Sequence, residues 1–307
     1  MGEAVFLVDD LLMPDFEIIR VKAKAPPVDL SPQECVVTGP LDPCIIVIFG
    51  ASGDLTSRKL VPALYNLYLN HGLPKPFIVV GASRTNLSHD EFREKLKSSY
   101  EATENSDLSR WNEFAANLYY QPVIYDALQS YEELAGYLRK LDEKYQTGGN
   151  RVFDLAVPPS LYPVIGEMLG NAGLAQEGEN GKGWSRIVVE KPFGRDLKSA
   201  VELDQTLHQS FKEHQIFRID HYLAKETIQN ILMFRFANAI FEPIWNRSYI
   251  AYVGIIAAEK LGVENRAGYY EQAGVIRDMF QNHMMQVLSL TAMEPPSIFE
   301  ADLVRAE

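Results

Sequence analysis

Cysteine is scarce in this 307-residue chain, which has two, Cys35 and Cys44. Two thiols cannot build a disulfide framework, and neither lies in a C-x-x-C pair or a Cys/His group of zinc spacing. A reducing compartment and no bound metal are therefore expected. Long apolar runs are missing as well: Cys44 to Phe49 and Phe77 to Gly81 are strand-sized, far short of the roughly 20 residues that cross a bilayer. No membrane segment is expected. At the N-terminus, Met1-Gly2-Glu3 leads to Asp9 and Asp10 rather than to a cationic region and a long apolar stretch, which argues against a secretory signal and for the cytoplasm. Positive charge is also in deficit. The 29 Lys and Arg against 41 Asp and Glu give a net charge of -12, which excludes a nucleic-acid track but leaves room for a local basic pocket holding a small anion.

What remains is globular in composition, 47% hydrophobic and 23% charged, and too long for one small module. Residues 1–43 are punctuated by Pro26-Pro27, Pro32, Pro40 and Pro43 and read as an N-terminal arm without chemistry. From Cys44 the pattern is regular. A strand (Cys44 to Phe49), a Gly-containing turn and a helical stretch (Lys59 to Tyr68) are followed by strands at Phe77 to Gly81, Leu118 to Gln121, Arg151 to Val157 and Arg186 to Glu190. Another helix is expected from Ser88 to about Tyr100, and a polar loop from Gly170 to Gly183 separates the last two strands. Strands alternating with helices imply an α/β unit over 44–217, a Rossmann-like, doubly wound parallel sheet. Beyond it, helical stretches at Leu223 to Arg235 and Ile276 to Ala292 flank an apolar run, Tyr249 to Ala258, expected as one strand of an antiparallel sheet. A lone strand needs partners, so 218–307 reads as an incomplete α+β domain.

Six segments carry possible chemistry. In Ile46-Val47-Ile48-Phe49-Gly50-Ala51-Ser52-Gly53 a strand feeds a helix through two glycines, which lets backbone amides approach a pyrophosphate at a helix N-terminus; an ordinary strand-to-helix turn would look the same. After the second strand, Ser83-Arg84-Thr85 offers no acid for the ribose hydroxyls of NAD, and Arg84 favours the extra phosphate of NADP over its other reading as a surface arginine. Glu190-Lys191-Pro192-Phe193-Gly194 closes a strand at the sheet's carboxyl edge. Lys191 is thus aimed at the crevice, with a cis bond at Pro192 left open, and Pro158-Pro159 would stiffen a wall beside the cofactor. Finally, Asp220-His221-Tyr222 with Lys225 groups an acid and three donors where a helix opens, and His283 stands inside an amphipathic helix. A lone histidine there is more often a satisfied core group than a base, unless an acid partners it.

Five motifs, Gly50-Ala51-Ser52-Gly53-Asp54-Leu55, Glu190 to Leu197, Arg218 to Glu226, Phe234-Arg235-Phe236-Ala237-Asn238 and Ile276-Arg277-Asp278 to Gln281-Asn282-His283, resemble in order the glucose-6-phosphate dehydrogenase family, from about Asp42 to the last residue. The resemblance implies oxidation of glucose 6-phosphate to the phosphogluconolactone with hydride transfer to NADP. It makes His283 the base and Asp220 the acid that orients it. His221, Tyr222 and Lys225 would grip the sugar phosphate, Lys191, Glu259 and Asp278 would hold sugar hydroxyls, and Gly50, Ser52, Gly53, Arg84, Pro158 and Lys191 would hold the cofactor. Family members continue past the position of Glu307, with most of the antiparallel sheet and the interface of their homo-oligomers, and Asp154 stands where the family more often has an aromatic residue. Two other readings stay open: an inactive NADP-binding fragment, and a related sugar dehydrogenase sharing the Glu-Lys-Pro segment but not the Asp-His-Tyr-Leu-x-Lys grip.

Overall fold

The computed structural model describes residues 41–103, 106–178, 183–238, 240–257, 267–297 and 301–307. The expected arm, apart from its last residues, lies outside them, as do Cys35 and Glu259. Six strands form one parallel sheet: β1 (Cys44–Phe49), β2 (Phe77–Ser83), β3 (Leu118–Pro122), β4 (Arg151–Leu155), β5 (Ser185–Val189) and β6 (Ile216–Arg218). Their spatial order, β3-β2-β1-β4-β5-β6, reverses direction between β1 and β4. In open parallel sheets that reversal opens a crevice at the carboxyl edge.

The apolar sequence of β1 follows from its central place, because strands covered on both faces need no polar alternation. Ile45, Val47 and Phe49 enter a core with Phe153, Leu155, Ile187 and the inner faces of helices α4 (Leu128–Tyr145), α5 (Tyr162–Asn171) and α6 (Leu197–His208). Ile48 points the other way, into a core with Tyr65, Phe92, Trp111 and Phe114, contributed by α1 (Val61–Leu69), α2 (His89–Glu101) and α3 (Trp111–Ala115). Two helices open on side-chain caps. Ser88 Oγ accepts from the Glu91 N–H at 3.2 Å while Glu91 accepts from the Ser88 N–H at 2.8 Å, and Asp196 accepts from the Ser199 N–H at 2.8 Å. Each such cap contributes about 1 kcal/mol.

Two expectations change. The polar loop after α5 separates β4 from β5, but β5 is not followed by the end of the sheet: β6 adds a sixth strand. The antiparallel strand expected from Tyr249 to Ala258 is not seen among the described residues, where 251–257 form no ladder and Ile256 is 77% exposed. A strand is stable only when its backbone groups find a partner, and none stands beside it among the described residues. Beyond the sheet the chain is helical: α7 (Glu226–Phe236), α8 (Ala267–Val275), a π-type turn Ile276–Met284 running into α9 (Met285–Ala292), and α10 (Ala301–Ala306). No helix among the described residues is long and apolar enough to cross a membrane.

Candidate active site

At the end of β1 the chain turns at Gly50, whose φ of 81° is in the left-handed region. A Cβ there would fall 2.1 Å from the Ala156 carbonyl oxygen, so only glycine lets this turn lie against the end of β4. Gly53 closes the turn by donating to the Gly50 carbonyl at 2.8 Å, and the helix follows from residue 54. Hydroxyls brace it from the end of β2 and the residues just after it: the Ser83 and Thr85 side chains donate to Ser52 Oγ at 3.0 and 3.1 Å. The Gly50 N–H donates to the Tyr125 hydroxyl at 3.1 Å, and the exposed Arg84 guanidinium lies 5.5 Å from the centre of the Tyr125 ring. Tyr125 thus joins the glycine turn to Arg84. The sequence reading missed it, because one tyrosine after an edge strand carries no motif. Pro158, exposed, begins the short turn Pro159–Leu161 after β4. These residues all follow strand ends at the carboxyl edge of the sheet, and the glycine turn leads straight into a helix, a setting that fits a dinucleotide pyrophosphate.

The second half of the site is set by β-register. Val189 pairs with Arg218, and the Ile219 N–H extends the ladder to the Val189 carbonyl at 3.0 Å, so Glu190-Lys191 runs beside Ile219-Asp220. The Lys191–Pro192 peptide is cis. Gly194, with φ of 81°, folds the loop onto α6, where a Cβ would meet the Ala200 backbone nitrogen at 2.4 Å. Arg218 anchors the other side by pairing with Asp204 at 2.6 Å and Glu213 at 2.9 Å.

The carboxylate of Asp220, 9% exposed, is the hub. Its Oδ2 accepts from the Lys191 ammonium, and its Oδ1 from His283 Nδ1 at 2.7 Å and the Tyr222 N–H at 3.0 Å. Burial works to raise its pKa, but the Lys191, Tyr222 and His283 hydrogen bonds outweigh it and hold the carboxyl below its ordinary value. An ionised partner at Nδ1 fixes the proton on that nitrogen and leaves Nε2 of His283 as the acceptor. The Tyr222 ring stacks on His283 with centroids 4.1 Å apart, and the Lys225 ammonium lies 3.5 Å from the centre of the Tyr222 ring. Tyr222 is buried while His221 and Lys225 are exposed. The helix expected from Leu223 starts at Glu226, so Asp220, His221, Tyr222 and Lys225 all sit in the tight turns before it. Asp278 stands five residues before His283, about one turn away where π-type spacing closes i to i+5.

The helix bearing His283 is held at its far end. Arg235 donates to the Leu290 and Met293 carbonyls at 2.7 and 2.6 Å, and Trp245 Nε1 to the Thr291 carbonyl at 2.8 Å, satisfying acceptors that a helix C-terminus leaves open. The Phe-Arg-Phe-Ala-Asn segment is therefore a clamp, with Asn238 capping its own helix at the Met233 carbonyl.

A parallel sheet in this order, with a glycine turn at its switch point, places the protein in the dinucleotide-binding class of doubly wound folds. Residues 47–230 match the NAD binding domain of glucose-6-phosphate dehydrogenase and residues 232–307 its C-terminal domain. The chain belongs to the glucose-6-phosphate dehydrogenase family, and its N-terminal part is of the nicotinamide dinucleotide-binding kind. It is 51% identical over 264 residues to a glucose-6-phosphate 1-dehydrogenase of Aggregatibacter actinomycetemcomitans, covering 86% of this chain and 53% of the relative. With that of Chlamydia pneumoniae it shares 45% over 280 residues, 90% and 54% of the two chains. A solved glucose-6-phosphate dehydrogenase in complex with glucose-6-phosphate superposes with a TM-score of 0.79 at 37% identity, covering 89% of this chain and 56% of that one. The Mycobacterium avium enzyme structure gives 0.74 at 34% identity, covering 87% and 56%. The chain thus spans about half the length of the relatives it matches.

Proposed function

We propose that the protein, in the cytoplasm, oxidises glucose 6-phosphate to 6-phosphoglucono-1,5-lactone with NADP as the hydride acceptor. The observation that carries the reading is the His283–Asp220–Lys191 chain at the carboxyl edge of a dinucleotide-type sheet. His283 Nε2 takes the proton of the anomeric hydroxyl. Asp220 holds the imidazole and offsets the charge it gains, as a carboxylate partner does for a general base. Lys191, Asp278 and Glu259, the last outside the described residues, orient sugar hydroxyls, while His221, Tyr222 and Lys225 bind the phosphate. The division into a cofactor half (44–217) and the start of a substrate half (218–307) follows from these roles.

NADP supplies the acceptor for the hydride that leaves C1. Gly50, Ser52, Gly53 and Pro158 would hold it by close backbone approach, Arg84 by charge on the extra phosphate, and Lys191 at the end nearest the sugar. The absence of an acid among Ser83-Arg84-Thr85 supports NADP over NAD. Scarce cysteine supports the reducing compartment.

His283→Asn in the full-length protein tests the reading. Turnover followed by NADPH absorbance is expected to fall by about 10²–10⁴-fold, the usual share of general-base catalysis, with NADP affinity unchanged. Retention of most activity removes His283 from the role, and a preference for unphosphorylated sugar removes the phosphate grip.

A further inference from the structure

Lys95 stands in α2, outside the segments read for chemistry, yet its ammonium donates to the Ser52 carbonyl in the glycine turn. Gly81 brings the helix there. It lies in β2, where a Cβ would fall 2.6 Å from the Phe92 ring and 2.8 Å from Ala51, so its bare backbone lets α2 and the turn close on the strand together. Phe92 is buried in that core, and Lys95, three residues on, is its neighbour on the helix surface and is exposed. Other cations of α2 pair within the helix, Arg93 with Asp90 and Lys97 with Glu101, whereas Lys95 pairs with no carboxylate among the described residues. The turn also gathers hydroxyls and a second cation. Ser83 and Thr85 donate to Ser52 Oγ, and Tyr120 pins both, its hydroxyl 2.6 Å from Ser83 Oγ and donating to the Thr85 carbonyl at 2.7 Å. Arg84, held between them, comes to the turn at its Gly50 end by way of Tyr125, and Lys95 comes at its Ser52 end.

We propose that Lys95 is a specificity-determining residue for the cofactor, a second cation that joins Arg84 in recognising the 2′-phosphate of NADP; the inference rests on the NADP reading above. A phosphate monoester carries a charge of about −1.5 to −2 at pH 7, more than one guanidinium offsets. An ammonium has three donors, so the bond to the Ser52 carbonyl leaves two for phosphate oxygens. The ribose hydroxyl that NAD has in place of that phosphate is neutral and gains little from a nearby cation. Lys95 therefore separates the two dinucleotides rather than holding both. Selectivity is divided between the loop after β2 and the second turn of α2.

Lys95→Gln in the full-length protein is the test, because the amide can still donate to the Ser52 carbonyl but carries no charge. By fluorescence titration at low ionic strength, NADP is expected to bind about fivefold more weakly than to the parent, with NAD unchanged, and the difference is expected to shrink in about 1 M salt. Lys95→Arg, which keeps the charge, should keep the parent's preference. Equal weakening of both dinucleotides overturns the proposal and makes Lys95 a brace of the turn, and no change in either overturns it as well. Arg84→Ala separates this inference from its premise. A parent protein with no preference for NADP removes the premise, whereas a preference lost in Arg84→Ala and intact in Lys95→Gln removes Lys95 alone.

Discussion

Asp154 stands inside β4 with Oδ1 buried and, among the described residues, without a hydrogen-bond partner. Burial first, and the Glu190 charge second, push its pKa from 3.8 up to about 7. The unfolded chain gives up this proton near the ordinary value and the folded chain only near 7. Stability is thus full at acid pH and falls as pH rises through that window. Asp154→Asn removes the loss. Its melting temperature is expected to exceed the parent's by a few degrees at pH 8 and to match it more closely at pH 5. An equal gain at both would refute the titration. Arg84 makes a different prediction: Arg84→Ala is expected to weaken NADP at least tenfold and leave NAD affinity nearly unchanged, measured by fluorescence titration. Arg84 and Lys191 were legible because each follows a strand at its carboxyl end. The contact of His283 with Asp220 was not, since 63 residues separate the two and the resemblance, not the residue pattern, paired them.

Among the elements, the strands buried on both faces were the most readable, because continuous apolar runs of strand length leave few alternatives. β6 was missed for the opposite reason: it has three residues, two of them exposed, and its ladder to β5 comes from geometry rather than pattern. The run from Tyr249 shows the same ambiguity in reverse, since β-branched and aromatic residues look alike paired or unpaired. The helix of His283 depends on its clamp. Arg235→Ala is expected to cost about 2 kcal/mol or more by urea denaturation, because two charge-assisted hydrogen bonds are lost at once. Arg235→Lys should recover little, as a single ammonium lacks the fork that reaches both carbonyls. Faster amide exchange in α9 with α1 to α6 unchanged would locate the damage.

At the scale of the molecule, the two cores of the sheet are closed while the region after it is not. Ile240, Tyr249, Tyr252, Ile256 and Ile276 are each about 70% exposed or more. Large apolar side chains left this exposed favour association when they adjoin. The 307-residue chain in isolation is expected to bind a hydrophobic dye and to associate with rising concentration in sedimentation velocity, and Tyr252→Lys with Ile256→Glu should reduce both. The linkage through Asp220 also sets an order in time. Lys191 and Asp220 lie 29 residues apart on neighbouring strand ends, whereas the imidazole arrives 63 residues later. On a ribosome, the sheet and its ammonium–carboxylate pair can be in place before residue 283 emerges. The nascent chain can therefore hold the sheet and the Lys191–Asp220 pair before the imidazole that completes the chain of hydrogen bonds has been made.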